Sequence, residues 1–284
     1  MKQAVVLDKA EIVKRYKPID PQTHKGMQGH ALIIAGSYGK MGAAVLASKS
    51  CLKTGCGLVT ALVPKCGYEI LQIANPEVMT LTDKKEQYLS DIKMAIKPQA
   101  IAIGPGLGQH IVTQKAVLDF LKTNRIPLVL DADALNILAC NKAWFSVLLP
   151  KTILTPHPKE LERLLGEWHT EEEKFQKTRA FVCQYDLIVV MKGAPTYIFT
   201  PDAVYVNTTG NAALATAGSG DVLTGMLTSL LAQGYSATDA ALLGVYLHGL
   251  TATIALPKTG YQSFTATTIL KNIGKAFLSL ENQL

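Results

Sequence analysis

The sequence lacks several features that would assign it at once to a class of protein. Its 284 residues contain no run approaching 18 uninterrupted apolar residues, so we expect no membrane-spanning segment. Charged residues follow the N-terminus too closely for a signal peptide. The five cysteines form no CxxC pair, which indicates reduced thiols in a cytoplasmic protein. There is no internal repeat and no Ser/Gly linker, so we expect a single domain over residues 1–284.

Signatures of nucleic-acid binding and of metal binding are also missing. Aromatic residues make up only 7% of the chain, and the net charge of +6 is not gathered into a stripe or tail, which argues against a nucleic-acid partner. There is no GxxxxGK[ST] phosphate-binding loop. No HExxH motif or Cys/His cluster is present, so the sequence names no metal ligand. The mild positive charge suits small anionic ligands such as nucleotides.

Short apolar runs rich in β-branched residues alternate with longer helical patterns. This alternation predicts an α/β fold in which a mostly parallel sheet is covered by helices on both faces. The predicted strands lie at 31–36, 57–64, 100–104, 127–133, 152–156 and 187–193, and the predicted helices at 42–54, 111–123, 158–165 and 171–184. After Gly193 the pattern predicts a β-hairpin at one edge of the sheet, with Pro201-Asp202 at its turn. From about residue 219 the chain is predicted to be helical to its end.

Glycine, proline and polar residues collect directly after the predicted strands. The segments that follow the first, third, fourth, fifth and sixth predicted strands are GSYGKMGAA, GPGLG, DADALN, TPHPKE and KGAPT. The carboxyl ends of parallel strands meet at one edge of an open sheet, and ligands bind beyond that edge. The sequence therefore predicts a ligand site at this edge.

The segment at 210–234 carries the richest chemistry. Gly218, Ser219 and Gly220 precede an apolar helical pattern, and free backbone N–H groups at a helix start form an anion hole suited to phosphate. Asp221 has two interpretations. As an N-cap it would stabilise the helix by about 1 kcal/mol. As a base beside the anion hole it would take a proton from a hydroxyl that attacks phosphate.

Four other positions are ambiguous on their own. GPGLG with Asp131 suggests a dinucleotide fingerprint, but its GxGxG spacing and Pro105 favour a simple contact loop. His157 either begins a helix as a hydrogen-bonding residue or binds a ligand. Lys192 ends a strand, where its amine would meet phosphate or would simply be solvated. For His248, within a helical pattern, we expect a structural role.

Taken in order, these segments resemble the ADP- or ATP-dependent NAD(P)H-hydrate dehydratases of the ribokinase-like superfamily. The resemblance covers HKGMQGHALIIAGSYGKMGAAVLA, AIAIGPGLG, LVLDADALN, ILTPHPKELERL, VVMKGAPTYI, NTTGNAALATAGSGDVLTGMLTSLLAQG and YLHG. It implies a ribokinase-like three-layer α/β/α fold. It also implies repair of NADHX and NADPHX, the hydrated forms of NADH and NADPH. In this reaction a nucleotide phosphorylates the ring hydroxyl, and elimination of phosphate restores the reduced cofactor.

The resemblance also implies roles for individual residues. It makes Asp221 the catalytic base, in contact with the hydrate. The hydrate-binding residues would be Ala43, Gly106, His157 and, less directly, Asn136. ADP or ATP would bind at Lys192, Gly193, Ala194, Pro195, Thr196 and Gly220. Magnesium is expected because nucleotide phosphoryl transfer uses it.

The resemblance implies partners as well. Many relatives carry an epimerase domain before this one, and we expect none in this chain, so a separate epimerase would cooperate with it. Relatives often form homotetramers. One rival is a ribokinase-like kinase of a small alcohol such as a sugar or vitamin precursor, although sugar kinases have DTxGAGD where this chain has TAGSGD. Other rivals are a Rossmann-type oxidoreductase using GPGLG and a non-catalytic nucleotide sensor.

Overall fold

A computed structural model describes residues 4–281, and within them ten strands form one sheet. The strands are Val5–Leu7 (β1), His30–Ile34 (β2), Leu58–Val63 (β3), Met79–Thr82 (β4), Ala100–Ile103 (β5), Leu128–Leu130 (β6), Ile153–Leu154 (β7), Ile188–Met191 (β8), Tyr197–Phe199 (β9) and Val204–Asn207 (β10). Their order is β1-β10-β9-β8-β7-β6-β5-β2-β3-β4. Strand β9 runs antiparallel to both of its neighbours, and the other paired strands are parallel.

Helices cover both faces of this sheet. They are Lys9–Val13 (α1), Met41–Lys53 (α2), Tyr68–Ala74 (α3), Ile111–Thr123 (α4), Asp133–Ala139 (α5), Pro158–Leu165 (α6), Glu171–Tyr185 (α7), Ser219–Ala232 (α8), Ala237–Thr259 (α9) and Ala266–Glu281 (α10). Short 3-10 turns occupy Lys65–Gly67, Lys142–Val147 and Ala212–Leu214.

Alternating strand residues enter two separate cores because side chains of a strand point to opposite faces. On β2, Ile33 packs into the core formed with α2, α8, α9 and α10. Its neighbours Leu32 and Ile34 pack into the core formed with α4, α5, α6 and α7. All three side chains are fully buried. The three-layer α/β/α fold with a mostly parallel sheet is confirmed.

The six predicted strands, the four predicted helices and the late hairpin are confirmed, with ends that differ by a few residues. The position of the hairpin at the edge of the sheet is wrong, because β1 pairs in parallel with the outer hairpin strand, β10. Strands β1 and β4 were not predicted. Their side chains are mostly exposed or half-buried, so neither strand has the continuous apolar run that marks the central strands.

The direction of strand addition reverses beside β2. Strands β3 and β4 lie on one side of β2, and β5 to β8 lie on the other. The loops after β2 and β5 meet at this point, where the Ser37 hydroxyl donates to the Gly106 carbonyl at 2.8 Å and the Gly36 N–H donates to the Pro105 carbonyl at 2.8 Å. Such a switch point leaves a crevice beyond the carboxyl ends of the strands.

Helix α9 is long and apolar enough to cross a membrane by length and composition alone. Its most apolar stretch is 72% buried inside the protein, and the helix packs against α8 and α10. Burial in the core explains its apolar composition.

Helices α2 and α8 pack tightly against each other at Gly225. A side chain there would overlap the Ala47 carbonyl and the Ser50 hydroxyl, so only glycine allows the two backbones to pack at this distance. Helix α2 carries Ala43 and helix α8 carries Asp221, so this contact joins two parts of the candidate site.

Candidate active site

The start of α8 presents free backbone donors at the carboxyl edge of the sheet. Gly218 is the N-cap, in the left-handed region at φ 84°. The Ser219 N–H donates to the Thr216 carbonyl at 3.3 Å, and within residues 4–281 no acceptor pairs with the N–H groups of Gly218, Gly220 and Asp221. Together with the helix dipole, these donors favour an anion. Ser219, which we predicted as part of the anion hole, lines the site but has its own N–H bonded.

Asp221 is the third residue of α8, so the interpretation of it as the N-cap is wrong. No group in the described part of the chain donates a hydrogen bond to its carboxylate. Burial, together with the negative charges of Asp131 and Asp133, raises the pKa of Asp221 to about 6, although Lys192 opposes the shift. A carboxylate with this pKa is largely ionised at neutral pH and is basic enough to accept a proton.

Lys192 lies in a buried charge cluster beside the start of α8. Its ammonium Nζ is 2.8 Å from Oδ1 of Asp131 and 3.8 Å from Oε2 of Glu160. Burial alone would lower the pKa of Lys192, but the carboxylates of Asp131 and Glu160 outweigh burial and the pKa is raised. The interpretation of Lys192 as a solvated residue at the end of a strand is therefore wrong.

Both carboxylate oxygens of Asp131 accept hydrogen bonds within this cluster. Oδ1 accepts from Lys192, and Oδ2 accepts from the Thr224 hydroxyl at 2.8 Å. Burial would raise the pKa of Asp131, but the Lys192 charge and these hydrogen bonds outweigh it and the pKa is lowered. Asp131 is also only 1% exposed, so its carboxylate is not presented to a ribose hydroxyl, which removes the support for a dinucleotide fingerprint.

A cavity of about 740 Å³ opens from this cluster. It is lined by all of Lys192–Thr196, together with Ser219, Gly220, His157 and the loop at 207–216. A side chain at Gly220 would lie 3.4 Å from Lys192 Nζ and 3.6 Å from Asp131 Oδ2. The structure therefore brings the predicted nucleotide segment, the anion hole and the ammonium group to one cavity, whose size suits a nucleotide.

His157 begins α6 and also borders this cavity. Its Nδ1 accepts from the N–H groups of Lys159 at 3.1 Å and Glu160 at 3.3 Å, and the Glu160 carboxylate accepts from the His157 N–H at 2.8 Å. This reciprocal arrangement is a capping box. The role of His157 as a helix-start residue is confirmed, and its role in binding hydrate stays a prediction.

The other predicted hydrate-binding residues lie along the crevice beside β2. Gly106, at φ 60°, lies so close to α2 that a side chain would press on Ala43 Cβ and on the Lys40 carbonyl. Asn136 accepts from the Arg163 guanidinium at 2.7 Å. Asp133 links this crevice to the charges around α8. Its carboxylate accepts from the Gly108 N–H at 2.8 Å and from the Asn136 amide at 3.5 Å, and its negative charge contributes to the raised pKa of Asp221.

Sequence reasoning missed the pairing of Asp131 with Lys192, the support from Thr224 and the charge of Asp133. The available signal was positional, since Asp131 and Lys192 each directly follow a strand, β6 or β8, on either side of β7.

His248 was also missed as a residue of the cavity. It lies on α9, and its ring Nε2 is 3.0 Å from the Ser219 carbonyl oxygen.

The site fits a magnesium ion carried by a nucleotide better than a resident metal. Within the described residues, no group of three or more His, Cys, Asp or Glu side chains could hold a metal ion. Mg²⁺ commonly takes one or two carboxylates and completes its shell with waters and substrate phosphates. Asp221 supplies a carboxylate beside the anion hole.

The fold places the chain in a structural class, the ribokinase-like α/β/α fold. The fold is shared with the ribokinase of Arabidopsis thaliana, at a TM-score of 0.52 and 13% identity over 86% of this chain and 98% of that one. A likeness at this identity concerns the fold alone.

The family follows from closer relatives. The family model described as NAD(P)H-hydrate dehydratase matches residues 31–275. The ADP-dependent (S)-NAD(P)H-hydrate dehydratase of Neisseria meningitidis is 37% identical over 86% of this chain and 83% of its own length. A crystal structure of the ADP/ATP-dependent NAD(P)H-hydrate dehydratase from Bacillus subtilis, co-crystallised with ATP/Mg²⁺, superposes at a TM-score of 0.84, with 29% identity over 99% of this chain and 100% of that one. The chain belongs to the NAD(P)H-hydrate dehydratase family, as its motifs predicted.

Other relatives are longer than the part that matches. The bifunctional NAD(P)H-hydrate repair enzyme of Moorella thermoacetica is 37% identical over 92% of this chain and 51% of its own length. The chain thus spans about half the length of several curated relatives.

Proposed function

We propose that this protein dehydrates NADHX and NADPHX to NADH and NADPH, with ADP as the phosphoryl donor. One observation carries the proposal within this family. Asp221, with its pKa raised to about 6, lies in the first turn of α8 beside free backbone donors and the Lys192 ammonium. A base next to an anion hole serves a hydroxyl that attacks phosphate.

The first step is phosphorylation of the ring hydroxyl of the hydrate. Asp221 takes the hydroxyl proton as the oxygen attacks the terminal phosphorus, and the bond from that phosphorus to the leaving oxygen of the nucleotide breaks. The N–H groups of Gly220 and Asp221 and the Lys192 ammonium lie where they stabilise the charge on the transferred group.

The second step is elimination of phosphate. The electron pair on the ring nitrogen moves towards the carbon that carries the new phosphate ester, and the carbon–oxygen bond breaks. The resulting iminium ring then loses a proton from the ring carbon next to the one that carried the phosphate, and the electron pair of that C–H bond forms the carbon–carbon double bond of the dihydronicotinamide. Phosphate leaves far more readily than hydroxide, so nucleotide consumption drives the dehydration.

A magnesium ion bound to the nucleotide would neutralise phosphate charge during transfer. In this chain, Asp221 is the carboxylate beside the anion hole that would assist it, whereas the Glu160 carboxylate accepts from the His157 N–H and lies 3.8 Å from the Lys192 ammonium. Lys192, Gly193, Ala194, Pro195 and Thr196 would bind the nucleotide with Gly220. Ala43, Gly106, Asn136 and His157 would bind the hydrate along the crevice.

ADP is the proposed donor because the Neisseria relative is named as ADP-dependent, whereas the Bacillus structure was co-crystallised with ATP/Mg²⁺. We also propose a cytoplasmic location, a homotetramer, and cooperation with a separate epimerase. Relatives named as bifunctional repair enzymes support a link to a second repair activity. Light scattering of the purified protein tests the tetramer, and cell fractionation tests the location.

The deciding experiment incubates the purified protein with hydrated NADH, magnesium and either ADP or ATP. Recovery of dihydronicotinamide absorbance that requires a nucleotide is expected, faster with ADP. A folded protein that restores no absorbance with either nucleotide would reject the proposal and direct the search to a small-alcohol kinase. The Asp221→Asn variant is the matched control, since it should bind nucleotide without turnover.

A further inference from the structure

His248 borders the nucleotide-sized cavity, yet the reaction described above does not use it. It lies on α9, is 8% exposed, and faces the first residue of α8. Its Nε2 is 3.0 Å from the Ser219 carbonyl oxygen and 3.3 Å from the Ser219 hydroxyl. A carbonyl oxygen only accepts hydrogen bonds, so Nε2 must carry a proton.

The second ring nitrogen is then a hydrogen-bond acceptor. Burial lowers the pKa of His248 to about 4, so the ring is neutral at pH 7. A neutral imidazole protonated on Nε2 has a lone pair and no proton on Nδ1. The tether to Ser219 therefore fixes which atom of the ring is free to accept.

This acceptor has no protein partner among residues 4–281, and it is not sealed in the core. Within residues 4–281, the buried side-chain nitrogen and oxygen atoms without a partner are Arg15 Nε and Asn75 Oδ1, and His248 Nδ1 is not one of them. Nδ1 is therefore reached from the cavity that His248 lines. The ring is 8% exposed, and its open acceptor faces a cavity of nucleotide size, so a donor on a ligand in this cavity can pair with Nδ1.

The chemistry of a nucleotide identifies that partner. Ionised phosphate oxygens only accept, so the phosphate end cannot pair with a bare Nδ1 and belongs at the α8 N–H groups and Lys192. The donors of a nucleotide are on its nucleoside, as ribose hydroxyls or the amino group of the base. We propose that His248 is a nucleotide-binding residue whose Nδ1 accepts a hydrogen bond from a donor of the bound nucleoside. The inference rests on the proposed function only in placing a nucleotide in this cavity.

Binding measurements without hydrate test this assignment. Calorimetry on the wild-type protein would compare ADP with 2′-deoxy-ADP, 3′-deoxy-ADP and the purine riboside diphosphate that lacks the amino group. We expect one analogue to bind about 5- to 10-fold more weakly than ADP, the size of one neutral hydrogen bond. The weakened analogue identifies the donor as a ribose hydroxyl or as the base amino group.

The variant His248→Gln separates the two nitrogens. The glutamine amide N–H can keep the bond to the Ser219 carbonyl, while the acceptor at Nδ1 is lost. ADP should then bind to the variant about 5- to 10-fold more weakly than to the wild type. The ratio of the dissociation constants of the weakened analogue and ADP should fall to about one. Thr251→Val is the matched control. This residue is buried one turn along α9, does not line the cavity, and bonds only to the His248 carbonyl. It should leave the discrimination unchanged.

Two results would overturn the assignment. Equal binding of ADP and all three analogues by the wild-type protein would do so without any variant. Unchanged discrimination in a folded His248→Gln protein would do so independently. Normal discrimination in a protein that restores no dihydronicotinamide would keep His248 as a nucleotide-binding residue and reject the dehydratase activity alone.

Discussion

Lys192 and Asp131 form an ion pair of 2.8 Å beneath the start of α8, and the Asp131 residue is only 1% exposed. Lys192 lines the cavity, and both partners of the pair lie close to Gly220, the residue before Asp221. Burial of Asp221 is the largest cause of its raised pKa, and the two charges of this pair act on it in opposite directions. The negative charge of Asp131 raises the pKa of Asp221, and the positive charge of Lys192 lowers it.

The pH dependence of turnover should follow Asp221. Its carboxylate must be ionised to accept a proton, and its pKa is raised to about 6. We expect kcat/KM for the hydrate to fall as the pH drops through about 6 and to reach a plateau above pH 7. A rate profile in non-inhibitory buffers measures this. A flat profile from pH 5 to 8 would remove Asp221 from the role of base.

Replacement of Asp221 by Asn should lower turnover by about 10²-fold or more, because the base is lost. The affinity for ADP should change little or improve, because the phosphate donors are backbone N–H groups and a nearby negative charge is removed. Steady-state kinetics and calorimetry measure the two effects separately. Full turnover in this variant would show that another group takes the proton.

Removal of the Asp131 charge should lower the pKa of Asp221. Asp131→Asn eliminates a negative charge that raises the pKa of Asp221, and leaves Lys192 freer to lower it, so the acid limb of the rate profile should move to lower pH. Breaking a buried pair should also destabilise the protein by about 3 kcal/mol. The profile and a urea denaturation curve measure both. Thr224→Val is the control: it removes a neutral hydrogen bond to the same carboxylate, and the pH at which the rate falls should stay that of the wild type.

Asp221 and His248 should give the folding stability opposite pH dependences. The raised pKa of Asp221 means that the native state binds its proton more tightly than the unfolded chain, so this residue lowers stability as the pH rises from about 4 to 6. The lowered pKa of His248, about 4, means that the unfolded chain binds that proton more tightly, so the contribution of this residue to stability rises with pH between about 4 and 6.5.

Asp221→Asn should therefore stabilise the protein at pH 7, by up to about 3 kcal/mol, and not at pH 4. His248→Gln should lose less stability on acidification than the wild type. Thermal unfolding at several pH values compares the three proteins, and parallel curves would contradict this assignment.

The two glycines that flank Ser219 should differ in their tolerance of alanine. Gly218 is at φ 84°, and a side chain there would collide with Leu46, so Gly218→Ala should destabilise the fold. Gly220 has no positive φ, and a Cβ there makes only ordinary contacts with Lys192 and Asp131. Gly220→Ala should keep or raise the melting temperature and weaken ADP binding by about 10-fold, because the methyl group occupies the approach of the phosphate. Thermal unfolding with and without ADP distinguishes these outcomes.

The sequence was sufficient for the central strands, because a strand covered on both faces is a continuous apolar run such as that around Val189 and Val190. It was also sufficient to place the polar loops at one edge of the sheet. It was insufficient for β1, where two of three side chains are exposed, since an edge strand needs no apolar pattern.

In the site, too, some features could be predicted from the sequence and others could not. The glycine-rich start of α8 was recognisable from residue types in sequence, but the choice between N-cap and free carboxylate at Asp221 depended on where the helix begins. The pairing of Asp131 with Lys192 joins residues that are 61 positions apart. Only the order of β6, β7 and β8 brings them together, and no local pattern encodes that order.

The close contact of α2 and α8 at Gly225 has a consequence for how the hydrate meets the anion hole. In the reaction as proposed, Ala43 on α2 helps to bind the hydrate, and Asp221 on α8 takes the hydroxyl proton of that hydrate beside the backbone donors for phosphate. Gly225 packs against the Ala47 carbonyl with no room for a side chain, so the spacing of the two helices does not depend on a loop that must first close. The helix that binds the hydrate and the helix that binds phosphate therefore hold their relative positions before either substrate binds.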